Sequence, residues 1–274
     1  MEQSGTVKAA VKSDVSEHAP ITYTASPAIQ MFSVPPADLL ASRPDIHNVI
    51  AGAMVFRSPS ADSGSGGAHR EVLLLRRAAS DSFPLKWEIP AGTADPMADR
   101  SIIEVAVREL WEETQLRARR LHRAVGMGLP QGVTEISCTG DVQDARMDAE
   151  LPMSLLRLSG RTWAVVTFLT GLEDDNAEVL LREDEHVDWA WVTRDEVREG
   201  RFHTGANLDL VSEAMKMILL EGFRVMEEIH SYGHLLRNRR GYVGRPYLKE
   251  HQITLGSTGI LESDNSVYRF IVKC

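Results

Sequence analysis

The sequence predicts an α/β protein, and three observations predict it. Short apolar runs of strand length recur on both sides of one strongly marked helix. That helix carries its own start signal at Ser101 and Glu104. A second, longer amphipathic stretch follows the last strand candidates, so the order reads strands, helix, strands, helix. The chain has 274 residues, 43% hydrophobic and 25% charged, enough for one sizeable core with extensions or for two small domains.

Residues 1–46 are rich in Ser, Pro and Ala and read as a flexible N-terminal arm, with a short strand near Ile21 to Tyr23. His47 to Phe56 is a strand that enters the domain. Ser58 to Ala68 is Gly/Ser-rich and reads as a hairpin tip. Glu71 to Leu75 is a dense apolar run, a buried strand. Lys86 to Ile89 is short and stops at Pro90. After the marked helix, Leu121 to Met127 is strand-like. Residues 128–160 show no clear period and read as an insertion, with turns near Gly132 and Gly140. Thr162 to Thr170 and Val187 to Val192 are further strands. Thr193, Asp195 and Glu196 start a short helix. A long one is predicted from Asn207 to His230, with Leu208, Leu210, Val211, Met215, Ile218, Leu219 and Phe223 at apolar positions. The main domain is therefore drawn as 47–230, and 231–274 as a C-terminal extension.

The marked helix carries the chemistry. Ser101 and Glu104 form an S-x-x-E capping box. Ile102, Ile103, Val105, Ala106, Val107 and Leu110 follow at helical spacing. Glu109, Glu112 and Glu113 then fall within about 100° of arc, as i, i+3 and i+4 neighbours. Arg108 stands four residues before Glu112 and can hold it. A charge cluster on a helix is usually a solvated face. Here the carboxylates adjoin a packed aliphatic run, and an oxygen-rich set of this kind suits a hard cation, Mg2+ or Mn2+.

The string Arg108-Glu109-Leu110-Trp111-Glu112-Glu113, with Leu116 beyond it and a Pro-Ala-Gly turn before it, resembles the second half of the Nudix box. The resemblance implies an α/β/α sandwich with a mixed sheet over roughly residues 48 to 230. It implies a metal-dependent hydrolase that cuts a diphosphate joined to another group. Glu109, Glu112 and Glu113 are the implied metal ligands, with the backbone carbonyl of Ala91 as a further one. Two positions in the first half of the box depart from the pattern, and so does one at its end. Arg100 stands where the family has Glu. Gly92 lies two residues early. Gln115 replaces the glycine that ends the helix. Asp99 is the candidate to replace the lost carboxylate.

Catalysis needs a general base for water. Glu183 and Glu185, in the acidic run before Val187 to Val192, are the candidates, and Arg108 orients a box carboxylate. Trp87-Glu88-Ile89-Pro90-Ala91-Gly92 resembles the corresponding stretch of ADP-ribose pyrophosphatases. Trp87, Glu88 and Gly92 are accordingly substrate-binding candidates, with Trp87 either stacked on a base or packed in the core. ADP-ribose or a similar nucleoside diphosphate is the first expectation. Dinucleoside polyphosphates, inositol pyrophosphates, coenzyme A and isoprenoid diphosphates remain open, as does an inactive ligand-binding module.

A net charge of −9 argues against nucleic acid as a bulk partner. Cys138 and Cys274 form no disulfide framework or zinc spacing. No signal peptide, membrane span or lipidation pattern is legible. A reduced, cytoplasmic protein without membrane contact is expected, with homodimer formation possible. Arg237, Arg239, Arg240, Arg245 and Lys249 with Tyr242 and Tyr247 read as a solvated basic tail. His230 and His234 lack a third metal ligand.

Overall fold

The computed structural model describes residues 22–58, 70–182 and 184–238, with side chains up to residue 229. The basic tail from residue 239, the side chains of His230 and His234, and most of the hairpin tip lie outside the described residues. By internal contacts Met1–His230 is one compact unit and Ser231–Cys274 a second.

The chain begins with β1 (Thr24–Ala25), a 3-10 turn at Pro27–Phe32 and α1 (Pro36–Ser42). This corrects the flexible arm for residues 22–46. Pro27 and Pro36 sit at the start of their helical turns, where a missing N–H costs little. Ile29 and Phe32 are 0% exposed, and Leu39 and Ile46 are buried. Four apolar anchors among polar and small residues are too sparse to show a period, yet they fasten the segment to the core. The Phe32 ring meets Phe168 edge-on at 5.5 Å. Phe32→Ala is expected to cost about 3–5 kcal/mol in urea unfolding, which an unanchored arm would not.

The sheet is built on β2 (Asn48–Arg57) and continues with β3 (Glu71–Arg77), β4 (Trp87–Glu88) and β5 (Ala91–Thr93). The helix α2 (Ile102–Thr114) follows, then β6 (Ala118–Val125). The predicted insertion is not irregular: it forms β7 (Glu135–Ser137), β8 (Val142–Met147) and β9 (Ser154–Leu158). These antiparallel strands widen the sheet beside β10 (Arg161–Leu172). In β8 the polar Asp144 is buried beside Val142 and Ala145, so the sequence there shows no apolar alternation. The sheet ends at β11 (His186–Thr193), followed by α3 (Arg194–Glu199) and α4 (Glu213–Asn238).

The sheet path is β11-β3-β2-β10-β9-β8-β7. It is mixed: β2 runs parallel to β10 and β1 to β6, while β3 and β9 pair antiparallel to their neighbours. Period-2 alternation sorts side chains to two faces. Val49, Ala51, Ala53, Val55, Leu73 and Leu75 pack with Ile102, Val105, Ala106 and Leu110 of α2. Met54, Val72 and Leu74 pack with Met215, Ile218, Leu219 and Phe223 of α4. The fold is thus an α/β sandwich with helices on both faces.

The long helix starts at Glu213, not Asn207. Ser212 caps it, accepting the Met215 amide at 3.1 Å. Leu208 and Leu210 belong to an extended segment beside β4, where Trp87 N donates to Asp209 O at 2.8 Å. No described helix is long and apolar enough to cross a membrane.

Candidate active site

The N-terminus of α2 fixes the position of everything after it. Ser101 accepts the Glu104 amide at 3.1 Å, which is half of the expected capping box. The Glu104 carboxylate turns instead to the amide and guanidinium of Arg100. At the other end Gln115 adopts φ 59°, the left-handed conformation usually given to glycine. Its amide and its side-chain nitrogen both donate to Trp111 O, at 2.9 and 3.1 Å.

Four residues apart on α2, Glu109 and Glu113 project from one face and are 8% and 4% exposed. β5 receives them. The Ala91 amide donates to Glu113 Oε2 at 3.0 Å. Gly92 makes room for Glu109, because a Cβ there would lie 2.2 Å from its carboxyl carbon. Gly92→Ala must displace that carboxylate. We expect Mg2+ affinity, followed by calorimetric titration, to weaken about 10- to 100-fold.

Glu88, Ala91, Gly92, Glu109, Glu113 and Glu185, all named from the sequence, line one cavity of ≈760 Å3. Burial pushes the Glu109 carboxyl up to about 7, against the pull of Arg108 and with the push of Glu112. Burial also raises Glu113 well above its ordinary value, helped by Glu88 and Glu109 and opposed by the Ala91 amide. Carboxylates this costly to ionise gain most from a dication, so the oxygen donors fit Mg2+ or Mn2+.

Arg108 stands behind this pair. Its Nε and Nη2 donate to Asp99 at 3.1 and 3.2 Å, and Nη1 donates to Glu112 Oε2 at 2.9 Å. Nη1 also lies 2.8 Å from Glu109 Oε1. Burial works against the guanidinium charge, but Asp99, Glu109 and Glu112 outweigh it and raise its pKa. Asp99 is 8% exposed and accepts the Asp95 amide at 2.7 Å. It therefore provides a buried carboxylate beside the position where Arg100 has none.

Two other predicted residues, Glu112 and Trp87, stand apart from the cavity. Glu112 is held by Arg108 and is not part of the lining. Trp87 is 6% exposed and packs edge-on against Phe202 at 5.2 Å. That burial favours the core-packing alternative over base stacking. Glu183 lies outside the described residues. Glu185 does reach the cavity, with Arg182 Nη1 3.5 Å from its carboxylate.

Arg77 and His186 are among the lining residues that were not singled out from the sequence. Arg77 is the last residue of β3, and its guanidinium bonds Glu88 and, at 2.5 Å, Asp81. Alternation from Leu73 and Leu75 would have put it on the α2 face. His186 opens β11, 2% exposed. The only sequence signal for it was its place at the end of the acidic run.

Comparison with known proteins adds the following. Residues 63–209 match the family model of the NUDIX domain. No curated protein matches. Among solved structures, a C. elegans Ap4A hydrolase binary complex is 20% identical, covering 56% of this chain and 85% of that one at a TM-score of 0.35. The NUDIX domain of Shewanella oneidensis NrtR complexed with ADP ribose is 16% identical, covering 65% and 86% at 0.37. A NUDIX hydrolase from Nitrosomonas europaea is 21% identical, covering 56% and 76% at 0.31.

Proposed function

The chain belongs to the NUDIX domain family, whose model spans more than half of it, and from that premise we propose that it hydrolyses the diphosphate of a nucleoside diphosphate joined to a second moiety. The observation that carries the reading is the buried pair Glu109 and Glu113, facing a cavity across Ala91 and Gly92. These two residues, with the Ala91 carbonyl, would hold Mg2+ or Mn2+. The bound ion neutralises phosphate charge and makes a water more acidic. Glu113 is kept in place by the Ala91 amide, and Arg108 fixes Glu112 through a guanidinium also anchored on Asp99. Glu185, partly open to solvent, accepts the proton of the attacking water. Arg77, at the cavity wall, is a positive partner for phosphate oxygens.

ADP-ribose and related nucleoside diphosphate sugars head the substrate list, from the resemblance of residues 87–92. A second reading has its own support. Val142, Leu156, Leu158, Trp163 and Val165 wall the same cavity. That apolar surface would also accept an isoprenoid tail. The test is release of phosphate or of phosphomonoester products by the full chain with Mg2+, from a panel of ADP-ribose, a dinucleoside polyphosphate, an inositol pyrophosphate and farnesyl diphosphate. Turnover of a nucleoside diphosphate that stops with EDTA is expected. Turnover of none of the four would reject the hydrolase, and turnover of farnesyl diphosphate alone would favour the second reading.

A further inference from the structure

We infer that His186 supplies a nitrogen donor to a cation subsite with Glu113 and one carboxylate oxygen of Glu185, whose other oxygen stays free to take the proton of water, and that this gives the protein a preference for imidazole-binding dications such as Co2+ over Mg2+ at that corner. The inference rests on the reading of Glu113 as a metal-holding carboxylate.

His186 is 2% exposed, and neither Nδ1 nor Nε2 has a hydrogen-bond partner. A buried imidazole with both nitrogens unbonded has lost its water without compensation. What faces it is acidic. Nε2 lies 4.0 Å from Glu113 Oε1 and 3.5 Å from Glu88 Oε1. One ligand atom each from Glu113, Glu185 and His186 lie within 4.8 Å of one another. Metal bonds of about 2.0–2.2 Å bring donors roughly 3–4 Å apart, so small side-chain rotations close the set.

The neighbouring contacts favour Glu113 over Glu88 as the partner. Glu88 Oε1 is already engaged by the Arg77 guanidinium. Glu113 gives Oε2 to the Ala91 amide, which leaves Oε1 towards His186. The backbone holds the corner in place. Ala78 N donates to Glu185 O at 2.8 Å, and His186 N donates to Arg182 O at 3.0 Å. One imidazole nitrogen with two carboxylates suits first-row transition ions, whereas Mg2+ favours oxygen ligands in a strict octahedron.

The experiment uses the full chain without substrate. Substoichiometric Mn2+ is expected to broaden the His186 ring signals in NMR before those of His122 and His203. Co2+ binding, read by visible absorption and calorimetry, is expected to weaken at least about tenfold in His186→Gln, with Mg2+ binding little changed. Unchanged Co2+ affinity in a folded His186→Gln overturns the inference. If that variant does not fold, sharp His186 signals in the wild type at Mn2+ levels that broaden the site's other signals overturn it equally. Hydrolysis of the same panel with Mg2+, read as phosphate or phosphomonoester products, is scored separately. If it persists while His186 is blind to Mn2+, only the histidine assignment falls; if the chain binds no dication and releases nothing, the proposed function falls with it.

Discussion

In Glu113→Gln, diphosphate hydrolysis is expected to fall by on the order of a thousandfold, about 4 kcal/mol of barrier. The substitution keeps the shape of the side chain, so its effect is electrostatic. Glu113 Oε2 already accepts the Ala91 amide at 3.0 Å. In the variant the single carbonyl oxygen must keep that bond, because an amide nitrogen there would face another donor. The NH2 group then points towards His186 and the cavity, where it repels a cation instead of holding it. Glu112→Gln makes the contrast. Glu112 is bound to Arg108 at 2.9 Å and is no part of the cavity wall. Its loss should therefore cost much less, about tenfold, by freeing Arg108. Steady-state rates on the best substrate, beside circular dichroism to show folding, decide the matter. Glu113→Gln within tenfold of wild type would remove Glu113 from the metal site.

The carboxylates were legible because their geometry is local. Spacing along one helix put Glu109 and Glu113 on one face, and Ser101 located its start. The two capping halves fared differently, since the Glu104 carboxylate bonds the amide and guanidinium of Arg100. Strands with dense β-branched or leucine runs, such as Glu71–Arg77, were legible for the same local reason. Ala91–Thr93 was not, because three small residues carry no pattern; only their register against Gly52 and Ile50 makes them a strand. His186 and Trp87 show the complementary limit. Aromatic and imidazole side chains have several uses, and burial decides among them. Burial comes from β3, β11 and the segment before α4, brought together from distant stretches of chain. The Asp99 to Arg108 fork likewise spans a loop whose path no periodicity specifies.

Glu109→Gln is expected to inactivate the enzyme and yet stabilise the metal-free protein at neutral and higher pH. Burial lifts the Glu109 carboxyl from 4.5 to about 7. The folded state therefore holds this proton more tightly than the unfolded chain. The resulting stability is complete below about pH 4.5 and is lost as pH rises through about 7. Above that, the wild type carries the penalty of a buried carboxylate, up to about 3 kcal/mol. Glutamine does not titrate, and removing the charge also lightens the load on Glu113, which Glu109 pushes upward. Urea unfolding in EDTA at pH 5, 6, 7 and 8 should show wild-type stability falling against the variant across this range. The two should be closest at pH 5 and furthest apart at pH 8. Adding Mg2+ at pH 8 should restore the wild type more than the variant, because binding to the native state alone stabilises it. Parallel pH profiles would mean that Glu109 ionises without penalty, and the electrostatic case for a dication at this site would be lost. A crossing of activity and stability is what a site kept for function predicts: the carboxylate that burdens the empty fold is the one proposed to hold the cation.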